Sequence, residues 1–144
     1  MLHSTDAEIS DILTNVHTIA MVGWSPKPDR PSNGVARFLV QQGYRVIPVN
    51  PGQAGQMALG EVVRASLSEI EGVVDMVDIF RRSEEAGAVV DEALAAFPNL
   101  KAVWMQLGVM DAEAAKRAED RGVVAIMNRC PAIEIPRLGI TRKS

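Results

Sequence analysis

The chain has one cysteine, Cys130, in 144 residues. No internal disulfide can form, which excludes a disulfide-stapled secreted scaffold and suits a reducing cytoplasm. No apolar run approaches the ~18 residues of a membrane-spanning helix. The opening stretch, MLHSTDAEIS, carries acids early and lacks both a basic start and an apolar segment, so no signal peptide is expected. An excess of positive charge is also missing. Fifteen Lys and Arg against eighteen Asp and Glu leave a net charge of −3. This argues against generic nucleic-acid or anionic-membrane binding and leaves room only for a local basic pocket. Histidine is scarce: His3 and His17 both lie near the start and, with one distant cysteine, make a poor metal set. What remains is ordinary. At 47% apolar and 23% charged, the composition is that of a globular protein, and the length fits one domain, 1–144. A small cytoplasmic protein is the expectation.

The hydrophobic pattern alternates short apolar runs with longer amphipathic stretches. Thr5 to Asn15 reads as a helix capped by Ser4 or Thr5, and Thr18 to Gly23 as a strand buried on both faces. Helix signals resume at Ser32-Asn33 and stop at Gly43. Arg45 to Val49 is the second strand, whose Pro48 lacks a ladder donor and belongs at an edge or irregularity. A short helix follows near Ser66 to Ile70, where Ser66 and Glu69 match a capping box. Val73 to Phe80, Ala102 to Leu107 and Val123 to Met127 are the remaining strands, separated by a helix that Ser83 caps and that runs through Ala96, and by one from Asp111 to Arg121. The tail from Cys130 is expected to fold back over the body. There is no repeat and no linker. This is the pattern of a doubly wound α/β protein: five parallel strands, expected order 3-2-1-4-5, helices on both faces. Its ligand crevice should lie beyond the strands' carboxyl ends, over strands one and four.

Those ends carry the candidate site. After strand one, Gly23 leaves room for a ligand, and Ser25, Lys27 and Arg30 stand near the helix start at Ser32 and Asn33, where free N–H groups favour an anion. The plainer alternative makes Ser32 a cap and the prolines loop stiffeners. After strand three, Phe80 could lie against a purine and Arg81-Arg82 meet phosphate, or Phe80 could be core and the arginines solvated. Asp75 and Asp78 share that strand on opposite faces, and Asp78 is expected to bond a neighbouring loop's backbone. Gln106 could hydrogen-bond a ligand amide beside Gly108, or both could serve only a turn. Cys130 reads as a passive small side chain; neither histidine is placed to activate it. The Gly-x-Gly-x-x-Gly fingerprint is absent after strand one, Val49-Asn50-Pro51 replaces the ribose-binding acid after strand two, and there is no nucleoside-triphosphate P-loop. A NAD(P)-dependent reductase is therefore disfavoured.

Several of these segments occur together in one family. Gly23-Trp24-Ser25, Arg30 to Gly34, Gly43 to Pro51, Asp75 to Arg81, Val103 to Gly108 and Asn128 to Cys130 resemble the stand-alone CoA-binding proteins, over a core of about 16–138. The resemblance implies a Rossmann-like CoA-binding domain, similar to the one that opens the alpha subunit of succinyl-CoA synthetase. It implies that Gly23, Trp24 and Ser25, with Lys27, Arg30, Ser32 and Asn33, receive the cofactor's phosphates. Val49, Asn50 and Pro51 would line the nucleotide part, and Ile79, Phe80 and Arg81 would lie against the cofactor. The chain lacks the phosphohistidine domain of the larger synthetase, so the expected function is binding of coenzyme A or an acyl-CoA without catalysis. The alternatives are a small enzyme acting on a CoA thioester through Cys130 or Asp78, and a regulator with a protein partner. A homodimer through Trp104 and the Met-rich segments is a further alternative, those residues being otherwise core.

Overall fold

The computed structural model describes residues 4–141. His3 and the basic end lie outside them. In chain order the elements are α1 (Asp6–Asn15), β1 (Thr18–Val22), α2 (Pro31–Gln41), β2 (Arg45–Val49), a two-stranded hairpin of β3 (Met57–Ala58) and β4 (Glu61–Val62), β5 (Met76–Ile79), α3 (Ser83–Ala96), β6 (Ala102–Met105), α4 (Ala112–Asp120), β7 (Val124–Ile126) and α5 (Pro131–Arg137). Single 3-10 turns occupy Pro51–Gln53 and Leu67–Glu69.

Five strands form one parallel sheet in the order β2-β1-β5-β6-β7. The doubly wound class stands, but the order does not match expectation. Counting only these five, it is 2-1-3-4-5 rather than 3-2-1-4-5. Pro48 supplies the reason. Its carbonyl accepts from Arg64 N at 3.0 Å, on the side of β2 away from β1, so its missing N–H also faces outward. A full strand added there would lose a ladder bond, so β2 is an edge strand and the chain crosses to the other side of β1 instead. The switch point thus falls between β1 and β5, and the crevice moves from strands one and four to that position.

Side chains alternate along every strand and build two cores. Ala20, Val22, Val77, Ile79, Val103 and Met105 face α3 and α4, whose Ala86, Val90, Ala114 and Ala118 pack against them. Ile19, Met21, Met76, Trp104 and Ile126 face the other way, onto Ile9 and Leu13 of α1, Leu39 of α2 and Ile135 of α5. Trp104 is fully buried there and its Nε1 donates to Arg129 O, so it belongs to the core and not to an interface. The tail does fold back: Arg137 of α5 pairs with Asp6 of α1 at 2.7 Å and with the buried Glu134.

Thr5 caps α1 through a complete capping box. Ser66 does not cap; its hydroxyl meets Ser68, while Glu69 accepts from Ala65 N, and only a 3-10 turn forms. Ser83 is the first residue of α3, and its hydroxyl holds the loop after β6 by accepting from Met110 N and donating to Gly108 O.

Candidate functional site

Gly23 ends β1 at the fork where its two neighbours diverge. Its N–H donates to Val49 O at 3.1 Å, and Phe80 N donates to Val22 O at 2.8 Å. Its φ is +88°, and a Cβ there would stand 2.1 Å from the Phe80 carbonyl oxygen. The space kept free by this glycine is therefore filled by the protein's own backbone and is not room for a ligand, a correction to the sequence reading. The following loop is held by its own polar groups. Ser25 N donates to Ser32 Oγ at 3.0 Å, Asn33 Nδ2 to Ser25 O at 3.0 Å, and Asn50 Nδ2 to Trp24 O at 2.8 Å. Ser32 is not the helix cap: α2 begins at Pro31, with Arg30 before it and no side-chain cap bond. Its hydroxyl ties down the loop instead, and its backbone N–H at the helix start has no intrahelical acceptor.

Two cavities open at the carboxyl ends of the strands. The first, about 400 Å³, lies over β1 and β2 and is lined by Gly23, Ser25, Lys27, Arg30, Ser32, Asn50 and Phe80, with Pro26, Pro31 and Gln53. Among the described residues no carboxylate lines it. Among the described residues neither Lys27 nor Arg30 takes part in an ion pair, although Asp29 stands in the same loop. Two unmatched cations beside the start of an eleven-residue helix make this cavity suited to an anion. The second, about 520 Å³, lies over β5 and β6. Val35, Leu107 and Val109 make it largely apolar, Gln106 and Cys130 line it as well, and Arg81, Arg82 and Glu85 stand along it. Phe80 and Pro31 line both cavities, so the two are adjoining parts of one crevice.

Arg81 is differently employed from the expectation that it meets phosphate. It pairs with Glu85 at 2.5 Å, one helical turn away, and Arg82 reaches the same carboxylate at 3.2 Å. These arginines hold the Glu85 carboxyl below the usual range. The second cavity therefore holds two arginines that share one carboxylate, where the first has two cations and no carboxylate.

The backbone bonding expected of Asp78 is made by Asp75 instead. Asp75 Oδ2 accepts from His17 N at 2.8 Å and Thr18 N at 3.0 Å, tying the start of β1. Asp78 is fully buried between the register neighbours Met21 and Trp104, and among the described residues neither carboxylate oxygen has a hydrogen-bond partner. Burial pushes its pKa well above the carboxylate range, only partly offset by the neighbouring Ile79 amide. The Gln106 side-chain oxygen and Trp24 Nε1 are likewise buried without partners. Trp24, Val49 and Ile79 are core residues behind the crevice, and Asn33 positions the loop. Pro51 opens the exposed turn after β2. Gly108, at φ +81°, shapes the loop after β6, with its N–H donating to Asn128 Oδ1. Gln53 escaped the sequence reading because its loop has no periodicity.

A doubly wound sheet with a cationic cavity at its switch point is an architecture in which phosphate-bearing ligands are held. The comparisons with known proteins narrow that class. Residues 17–136 match the CoA binding domain family, and the chain belongs to it. It is 38% identical over 130 residues to the uncharacterized protein YneT of Bacillus subtilis, covering 90% of this chain and 93% of that one. Among solved structures it resembles cell-free ID.343 from Thermus thermophilus, at 36% identity and TM-score 0.86, covering 94% and 99% of the two chains. A hypothetical protein from Pyrococcus horikoshii OT3 is similar at 36% identity and TM-score 0.85, covering 94% and 92%.

Proposed function

We infer that this protein binds coenzyme A or an acyl-CoA in the two-part crevice, without turning it over. The observation that carries the reading is the division of that crevice: unmatched positive charge over β1 and β2, and an apolar trough over β5 and β6, joined at Phe80 and Pro31. CoA has the same division, with phosphates at one end and a long neutral arm at the other. Membership of the CoA binding domain family points the same way. Lack of turnover is supported by the setting of Cys130. His17 stands just before β1, at the opposite end of the sheet from the cavities, and among the described residues no histidine lines the crevice to serve as base. Among the described residues no helix is long and apolar enough to cross a membrane, and the lone thiol suits a reducing, cytoplasmic setting.

Calorimetric titration with CoA, acetyl-CoA and NAD tests this directly. CoA and acetyl-CoA should bind and NAD should not, and acetyl-CoA should release no free thiol on incubation. Lys27→Ala and Arg30→Ala should each weaken CoA binding roughly tenfold, more at low salt. Arg81→Ala should change it less, because its charge is already met by Glu85. A folded Lys27→Ala/Arg30→Ala double variant that binds CoA as tightly as the parent would remove the reading.

A further inference from the structure

The one thiol of the chain lies in the apolar cavity and is nearly closed off elsewhere, Cys130 being 6% exposed. It shares that cavity with Gln106, which is 5% exposed and whose side-chain oxygen has no donor among the described residues. A buried carbonyl oxygen left unpaired in an apolar trough is costly unless an N–H from outside completes it. Such a ligand carries an amide along a largely neutral arm. The arm must cross from the cationic cavity by way of Phe80, and the strand order sets the distance. From β1 to β7 is three strand spacings, roughly 14 Å at about 4.8 Å each. That is comparable to the extended pantetheine chain between the phosphates and sulfur of CoA. Cys130 follows β7 and so stands where the far end of such an arm arrives.

We propose that Cys130 captures CoA from CoA disulfides by thiol–disulfide exchange, a step that rests on the CoA-binding reading above. The Cys130 sulfur, as thiolate, attacks the CoA sulfur of a disulfide CoA–S–S–R. A Cys130–S–S–CoA bond forms, the original S–S bond breaks, and R–S⁻ leaves and takes up the proton given up by Cys130. One disulfide replaces another, so no further oxidant or reductant is needed. A second small thiol reverses the step. The cavity makes the exchange selective: the thiol is reached by a sulfur whose other end is anchored at Lys27 and Arg30.

The test uses the full chain, reduced and desalted, then incubated separately with CoA disulfide and with oxidised glutathione. Intact mass spectrometry reads the products, and because Cys130 is the single cysteine the mass alone locates any disulfide. The expected result is a single adduct with a mass increase of one CoA less two hydrogen atoms, one lost from each thiol, removed by excess dithiothreitol. It should form roughly tenfold or more faster than the glutathione adduct, as anchoring raises the local concentration of the reacting sulfur. Lys27→Ala/Arg30→Ala should erase that preference. Calorimetry with reduced CoA runs alongside. Binding of reduced CoA with no adduct from the disulfide would overturn the exchange and leave the binding reading intact. Equal rates with both disulfides, or an undiminished preference in the double variant, would also overturn it. Neither binding nor adduct would remove both.

Discussion

Gly23→Ala should lower stability by roughly 2–5 kcal/mol, read from urea or thermal unfolding. Two costs combine. At φ +88° an L side chain is strained whatever the space around it. The new Cβ would also stand 2.1 Å from the Phe80 carbonyl oxygen, and that atom cannot swing aside like a side-chain tip. It belongs to the segment that leaves β5, whose Phe80 N is bonded to β1. Relief of the clash must therefore part β1 from β5 at the switch point, where both cavities meet. CoA binding should fall with stability, even though Gly23 offers no side chain to the ligand. A loss below about 0.5 kcal/mol, within the range of ordinary surface substitutions, would show that the fork is more yielding than its geometry.

Asp78→Asn should have the opposite sign. With its pKa raised above the unfolded value of about 3.9, the folded protein binds more protons than the unfolded chain between the two values. Below pH ~4 the side chain is neutral in both states and exerts no penalty. As pH rises through that window toward the folded-state pKa, wild-type stability falls, because unfolding releases the proton. An isosteric neutral amide removes this slope. The variant should be more stable by roughly 1–4 kcal/mol at pH 8, with the difference closing toward pH 4. Denaturant titrations at pH 4, 6 and 8 on both proteins give the comparison. A variant less stable than wild type at pH 8 would mean that the carboxylate has a stabilising partner.

The local elements were readable because their signals are local. Burial of whole strands appears as unbroken apolar runs: β2 falls at the expected limits, Arg45–Val49, and α3 ends at the expected Ala96, although Ser83, expected as its cap, is its first residue and Arg82 precedes it without a side-chain cap bond. Strand order is a long-range property, and the expected 3-2-1-4-5 places strand two inside the sheet, against the direct physical clue of Pro48. Among the crevice residues, Lys27, Arg30, Asn50, Phe80 and Gln106 were accessible as polar or aromatic groups at strand ends. Their use was harder to read. The pairing of Arg81 with Glu85 was available from the four-residue spacing. Backbone bonding by Asp75 rather than Asp78 depends on which amides the neighbouring strand presents, and the occupant of the space at Gly23 depends on a backbone fifty-seven positions away, at Phe80.

Pro48 has a consequence for how molecules of this protein meet one another. The outer rim of β2 already engages Arg64 through Pro48 O and Asn50 N, and Arg45 is clasped to Glu61 of the hairpin. At the far rim β7 offers three residues. A neighbouring copy finds little free backbone with which to extend the ribbon, so end-to-end polymerisation through strand pairing is discouraged at both margins. Self-association would have to use side-chain surfaces, such as exposed Met57, Leu107 and Met110. It would then be tunable by single substitutions without disturbing the sheet.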